Sequence, residues 1–379
     1  MKYIDEFRDG ELARQIARTL HAEVDPRRRY RFMEFCGGHT HALSRHGLLD
    51  LLPPQVRMIH GPGCPVCVLP IGRVDQAIHM ARARRVTLCA YGDCLRVPAS
   101  NRSSLARARA EGADVRMVYS TEEALALAKR HPEKQVVFLA VGFETTTPPT
   151  AVAIEHAAAE GLDNFSVLCC HVLTPAAIVG ILDAPEKPEL EGMIGPAHVS
   201  TIIGSAPYAF VPERYGKPLV IAGFEPLDML QAILMLVRQV NAGRACVENE
   251  YARAVCREGN RKAQALVEKI FTRRPSFEWR GLGSLPGSAL QLKPEYARFD
   301  AELRHPTPYV PVPEHKMCEC AAILRGAKEP RDCKAFSTAC TPETPLGACM
   351  VSAEGACAAH YVYRRQEPEI GKRLAHAPG

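Results

Sequence analysis

Between Tyr30 and Asn241 the chain repeats one pattern. A short continuous apolar run is followed by a longer stretch in which apolar positions recur every three or four residues. Runs of the first kind at 30–35 (YRFMEF), 56–60 (VRMIH), 86–91, 115–119, 136–141, 165–170 and 218–222 are predicted to be strands. The stretches 73–84, 103–111, 121–130, 150–160 and 226–241 are predicted to be helices. Another amphipathic helix is expected at 11–22, from Leu12, Ile16, Ala17 and Leu20. Apolar strands alternating with helices of this length imply parallel sheets covered on both faces, so the fold class is α/β. One internal echo stands out. VVFLAVGFETTTP at 136–148 resembles PLVIAGFEPLD at 218–228, which suggests two related halves or a tripeptide shared by chance.

From about Ser276 the alternation fades and prolines become frequent. Six of the fifteen cysteines then fall between Cys318 and Cys357. This stretch is poor in Leu, Ile and Val, so it is expected to be a loop-rich region that depends on a cofactor for order.

Charge and composition narrow the classes. Lys plus Arg total 47 and Asp plus Glu 42, a net charge of +5, too mild to indicate nucleic acid. No apolar run approaches 18 residues, which excludes a membrane span, and MKYIDEFRDG lacks the apolar core of a secretory signal. A cytoplasmic location is expected. Fifteen cysteines cannot all pair, and in a reducing compartment clustered cysteines bind metal or carry out redox chemistry.

Two constellations carry that chemistry. In the first, FCGGHTH (35–41) follows one predicted strand and GPGCPVC (61–67) follows the next. Ligands bind outside the carboxyl ends of strands in open α/β sheets. Helix-terminal amides there would favour a Cys36 thiolate. Cys64 and Cys67 have the spacing of a redox dithiol and also of a metal knuckle. Three readings follow. Cys36 and His39 hold a metal beside a Cys64/Cys67 dithiol; all four form one closed zinc site; or the cysteines are ordinary core residues. The second constellation is Cys318, Cys320, Cys333, Cys340, Cys349 and Cys357. Thiolates favour an iron–sulfur cluster or zinc. A cubane cluster uses four, leaving a disulfide-forming pair; two zinc ions are the alternative. Spacing does not decide which four ligate.

Together the motifs EFCGGHTHA, HGPGCPVC, GDCLRVP, VGFETTTP, HVLTP, HVSTIIG, AGFEPLD and CEC…DC…AC…GACMVSAEGAC resemble the HypD family of [NiFe]-hydrogenase maturation factors, over nearly the whole chain. The resemblance implies two Rossmann-like parallel-sheet domains facing each other, plus a cysteine-rich domain carrying a [4Fe-4S] cluster. The expected divisions are an N-terminal helix (1–25), α/β domains at 26–140 and 141–275, and the cluster domain at 276–379. It further implies a scaffold on which, with the partner HypC, an Fe(CN)2CO group is assembled, the cyanide arriving from HypE. By the same resemblance, Cys36 holds the iron, His39 is a neighbouring ligand or proton donor, and Cys64 and Cys67 are the exchange dithiol. Cys318, Cys333, Cys340 and Cys357 resemble the cluster ligands, with Cys320 and Cys349 as an adjacent redox pair. A stand-alone cluster-dependent disulfide reductase and a structural zinc protein are the competing functions.

The remaining candidates are weaker. Glu144 and Glu225 sit at strand ends, where they act on substrate or cap the next helix. His171 and His198 are expected to be hydrogen-bonded structural residues. Cys89, Cys94, Cys169, Cys170, Cys246 and Cys256 are expected to be small core hydrophobes. Arg27, Arg28, Arg29, Arg82, Arg84 and Arg85 are expected on the solvated surface. No GxxxxGK[ST] run is present, so no familiar ATPase site is expected.

Overall fold

The computed structural model describes residues 5–185 and 188–364. In chain order the strands are β1 (Tyr30–Glu34), β2 (Val56–His60), β3 (Val86–Ala90), β4 (Val115–Met117), β5 (Gln135–Gly142), β6 (Phe165–His171), β7 (Gly192–Gly195), β8 (Leu219–Ile221), β9 (Val247–Asn249), β10 (Phe271–Trp279) and β11 (Gly283–Leu292). They build two all-parallel sheets, in orders β2-β1-β7-β8-β9 and β4-β3-β5-β6, and one antiparallel hairpin, β10-β11. The predicted α/β class is what these residues form. Strands such as β3, β5 and β6 are buried almost end to end, because helices cover both faces.

The strand pairing does not follow contiguous halves. Strands before residue 61 share a sheet with strands after 191, and the second sheet, 86–171, is inserted between them. A division at 140/141 therefore falls inside β5. Each sheet places its second strand on one side of the first and the later strands on the other. The two GFE segments are not equivalent within that plan. β5 neighbours the first strand of its sheet, whereas β8 lies one strand further out.

Two further expectations change. The region after 271 opens with a two-stranded hairpin rather than a loop. Pro275 sits at its register shift between Arg274 and Ser276, where a missing N–H breaks no ladder bond. Phe277 and Trp279 are buried, and Leu173 N–H donates to Ser288 O at 2.9 Å, fastening the hairpin beside β6. The C-terminal segment also has no separate core. Ile323, Leu324, Met350 and Val351 join the cluster that contains Cys67, Val68, Leu88 and Trp279. Residues 1–4 and 365–379 of the predicted end segments lie outside the described residues. No helix among the described residues is long and apolar enough to cross a membrane.

Candidate iron and thiol site

β1 ends at Glu34, and Cys36 is the residue from which the helix Gly37–Arg45 starts. β2 lies on one side of β1 and β7 on the other, so this is the point where strand order reverses. The GPGCPVC loop leaves β2 alongside. Gly61 N–H donates to Glu34 O at 2.9 Å, and Gly37 N–H donates to Gly63 O at 3.1 Å. A Cβ on Gly63 would stand 2.4 Å from Cys36 N, so only glycine lets the loops meet at this distance. The first constellation is thus assembled in space. Cys64 and Cys67 are joined by a disulfide with Cα atoms 5.2 Å apart. A closed zinc site would need both as thiolates.

Cys36 does not have the low thiol pKa expected of a helix start. Burial pushes it up to about 12, with the carboxylates of Glu354 and Glu34 adding to the effect. The amides of Gly38 and His39 act the other way and are outweighed. Glu34 is fully buried and accepts from Thr40 Oγ1 and from Cys36 N–H, the latter at 3.0 Å. Glu354 packs on Gly37, and burial together with Asp93 and Glu34 raises its carboxyl pKa. Cys36 therefore sits between two buried carboxyl groups. A divalent cation placed there would reverse the balance and draw the thiol to its thiolate.

His39 is fully buried one turn on, its ring 5.2 Å from that of Phe224, whose other neighbour is His198 at 4.1 Å. Its Nε2–H donates to Ala222 O at 2.9 Å, and Nδ1 has no partner among the described residues. Burial lowers the ring pKa to about 4. At neutral pH Nδ1 is thus the nitrogen with the free lone pair.

In the second constellation, Cys318, Cys320, Cys333, Cys340 and Cys357 line one small pocket with Ile323, Phe336, Leu346 and Met350. Cys349 is not on its wall, but its sulfur hydrogen-bonds with those of Cys320 and Cys357. A Cβ on Gly347 would lie 2.3 Å from Cys318 Sγ and 2.5 Å from Cys320 Sγ, so glycine keeps the sulfurs' space open. Soft donors converging on an apolar cradle fit an iron–sulfur cluster. Among the described residues no three His, Cys, Asp or Glu side chains are grouped to hold a single ion.

The two constellations touch. Cys67 Sγ lies 4.0 Å from Ala348 O, the residue before Cys349. A polar chain links them elsewhere: Glu34 Oε1 meets His60 Nδ1 at 3.0 Å, and His60 Nε2 meets His360 Nε2 at 3.1 Å. His360 lies one turn after Cys357 on the helix Ala356–Tyr363. The sequence reading missed Glu34, His60, Glu354 and His360. Its one available signal was their adjacency to the cysteine motifs.

The other candidates stand apart. Glu144 accepts from Thr174 N–H and Oγ1, both at 2.9 Å, at the start of the helix Thr174–Leu182, and lines a cavity of about 1100 Å³. Glu225 caps the helix Pro226–Asn241. His171 bonds Thr150 Oγ1 at 2.9 Å. Cys89, Cys94, Cys169 and Cys170 are core residues; Cys256 is exposed and Cys246 half-buried, because each follows a surface turn rather than a strand centre.

The HypD family profile, described as "Hydrogenase formation hypA family", matches residues 11–364. The chain belongs to the HypD family. The hydrogenase maturation factor HypD of Cupriavidus necator is 64% identical over 370 residues, covering 96% of this chain and 98% of that protein. HypD of Azotobacter vinelandii is 63% identical over 374 residues, 98% of this chain and 99% of its own length. HypD of Escherichia coli is 43% identical over 374 residues, 97% and 100% respectively. The relatives named HypD are hydrogenase maturation factors.

Proposed function

We propose that this chain is the scaffold on which the Fe(CN)2CO group of a [NiFe]-hydrogenase is assembled, in complex with HypC and with cyanide delivered from HypE. The observation that carries this reading is the setting of Cys36. It is a buried thiol at a strand-order reversal, with carboxylates and the free Nδ1 of His39 nearby and a disulfide in the adjoining loop. Iron is the cargo. A thiolate from Cys36 and one from the partner leave coordination positions open for cyanide and CO, and separation of the partners releases the product.

The thiols supply the redox chemistry. Attack by a Cys349 thiolate on Cys67 Sγ breaks the Cys64–Cys67 bond and forms a mixed disulfide, with Cys64 leaving as thiolate. Attack by Cys320 on Cys349 then releases Cys67, so one dithiol is oxidised as the other is reduced by the same two electrons. The contact between Cys67 and the Cys349 segment supports this route. Cys318, Cys333, Cys340 and Cys357 would hold a [4Fe-4S] cluster, which supplies electrons singly. Infrared spectroscopy of the chain co-purified with HypC tests the proposal. Cyanide and CO bands are expected in the native complex and absent in Cys36→Ala, whose C-terminal iron and sulfide should remain. A native complex without such bands would leave the stand-alone reductase as the better reading.

A further inference from the structure

Three of the motifs that carry the family resemblance, VGFETTTP, HVLTP and HVSTIIG, contain no cysteine and have no part in the thiol chemistry. Residues of all three line one cavity of about 1100 Å³: Glu144 and Thr147, Leu173 and Pro175, and Ile202 and Ile203. Glu144 and Thr147 follow β5 of one parallel sheet, and Ile202 and Ile203 follow β7 of the other, so the cavity forms where connections of the two sheets meet. The β10–β11 hairpin supplies a further wall through Phe271 and Leu290.

The walls are fixed by contacts made outside the cavity. Gly204 and Gly259, at φ +79° and +68°, let the end of the helix Ala197–Ile203 meet the chain that leads into the helix Arg261–Ile270. A Cβ on Gly259 would stand 2.3 Å from Ile202 O, and Gln264 Nε2 donates to that same carbonyl at 2.7 Å. On the hairpin side, a Cβ on Gly180 would stand 2.8 Å from Leu285 Cδ1. Protein interiors close over empty apolar space wherever they can. A preformed, largely apolar space of this size is at the upper end of the range of small-molecule sites.

The polar lining indicates what the occupant carries. Glu144 and Thr147 are buried, whereas Arg273 and Glu268 are exposed and Lys293 is half-buried. Asp183, another carboxylate of the wall, is engaged by Arg214 at 2.7 Å. Arg273 and Lys293 form no ion pair among the described residues, so two cations answer the one unengaged carboxylate of Glu268. Glu144 holds Thr174 with both oxygens, and burial pushes its carboxyl up to about 7, which weakens its repulsion of an anion.

We propose that this cavity binds a small organic monoanion, such as a carboxylate on an aliphatic or aromatic body, with the body against the apolar walls and the charge toward Arg273 and Lys293. No cysteine lines the cavity, so the site is separate from the iron and the cluster.

The test is a fluorescence titration of the full chain, purified without oxygen, with anilinonaphthalene sulfonate as the probe. Decanoate, decanol and inorganic phosphate are the competitors. One saturable site is expected. Decanoate should displace the probe about tenfold better than decanol, which has the body without the charge. Phosphate, which has charge without the body, should not displace it. Arg273→Gln should weaken decanoate about tenfold and leave decanol unchanged. Ala176→Phe, which puts a ring into the cavity, should weaken probe and decanoate alike, by about tenfold or more. Absence of saturable binding overturns the proposal. So does native affinity in Ala176→Phe, displacement by phosphate, or equal displacement by decanoate and decanol. Unchanged decanoate affinity in Arg273→Gln also rejects it, and decides alone if Ala176→Phe does not fold.

Discussion

At Gly347 the space that two cysteine sulfurs occupy is the space a methyl group would take. Gly347→Ala places a carbon 2.3 Å from Cys318 Sγ and 2.5 Å from Cys320 Sγ, and both sulfurs are short-tethered to backbone. The variant is expected to fold but to bind less iron and sulfide than native protein, by chemical analysis after anaerobic purification. Glu144 is a second residue whose environment sets a measurable quantity. Burial raises its carboxyl pKa from 4.5 to about 7. Between these values the folded chain keeps a proton that the unfolded chain has released, so stability falls as pH rises through the window. One unit corresponds to about 1.4 kcal/mol, giving at most about 3 kcal/mol across it. Urea unfolding at pH 5 and pH 7.5 should show this loss in the native chain and a flatter profile in Glu144→Gln. The sequence marked Glu144 as a reacting group or a cap of the next helix, but that helix is Thr147–Ala159 and Glu144 binds the start of the later Thr174–Leu182. Only the folded contacts to Thr174 reveal which helix it caps.

Among the elements, the strands with uninterrupted apolar runs were legible and four others were not. β7 is GMIG, with glycines where a Cβ would lie 3.0 Å from Pro218 and 2.8 Å from Leu219. Its short length and glycines remove the propensity signal, while close packing against β8 makes it a strand. β9 is three residues long and half-buried. The β10–β11 hairpin is masked by Pro275, Pro286, Gly283 and Gly287, yet it holds the one tryptophan of the chain, fully buried with Nε1–H donating to Ser288 Oγ at 2.9 Å. Trp279→Ala is expected to cost about 3–5 kcal/mol. Because this side chain stands beside the hairpin tip, the C-terminal cysteine segment should also become more open to limited proteolysis. Unfolding and proteolysis of native and variant chains measure both.

For the whole molecule, the decisive feature is that regions 281 residues apart meet at Cys67 and Ala348. If the proposed exchange route holds, Cys64 and Cys67 change state together. Thiol trapping with a mass tag should shift two cysteines at once on reduction, and replacing Cys349 with serine should slow that reduction while the iron content stays. Single-residue labelling of Cys64 or Cys67 in the native oxidised chain would contradict the disulfide. Cys36 and the pocket of Cys318, Cys333, Cys340 and Cys357 belong to different loops. Loss of one is therefore expected to leave the other's metal content intact.

The chain's own pattern of apolar runs and helical periods was enough to determine the α/β class, because burial on both faces demands apolar residues along the whole strand. Its motifs around Cys36, Cys64 and Cys67, each written into a short run of adjacent residues, were enough to point to the HypD family and to those cysteines. Tertiary structure decided what depends on contacts between distant segments. It set the sheet order, which threads residues 86–171 between two parts of one sheet. It set the high pKa of the Cys36 thiol, which follows from burial and from Glu354, a residue more than 300 positions away. It also gathered residues of VGFETTTP, HVLTP and HVSTIIG around one cavity. Local pattern records what a residue prefers; dielectric, charge and close approach come from neighbours that only the folded chain assembles.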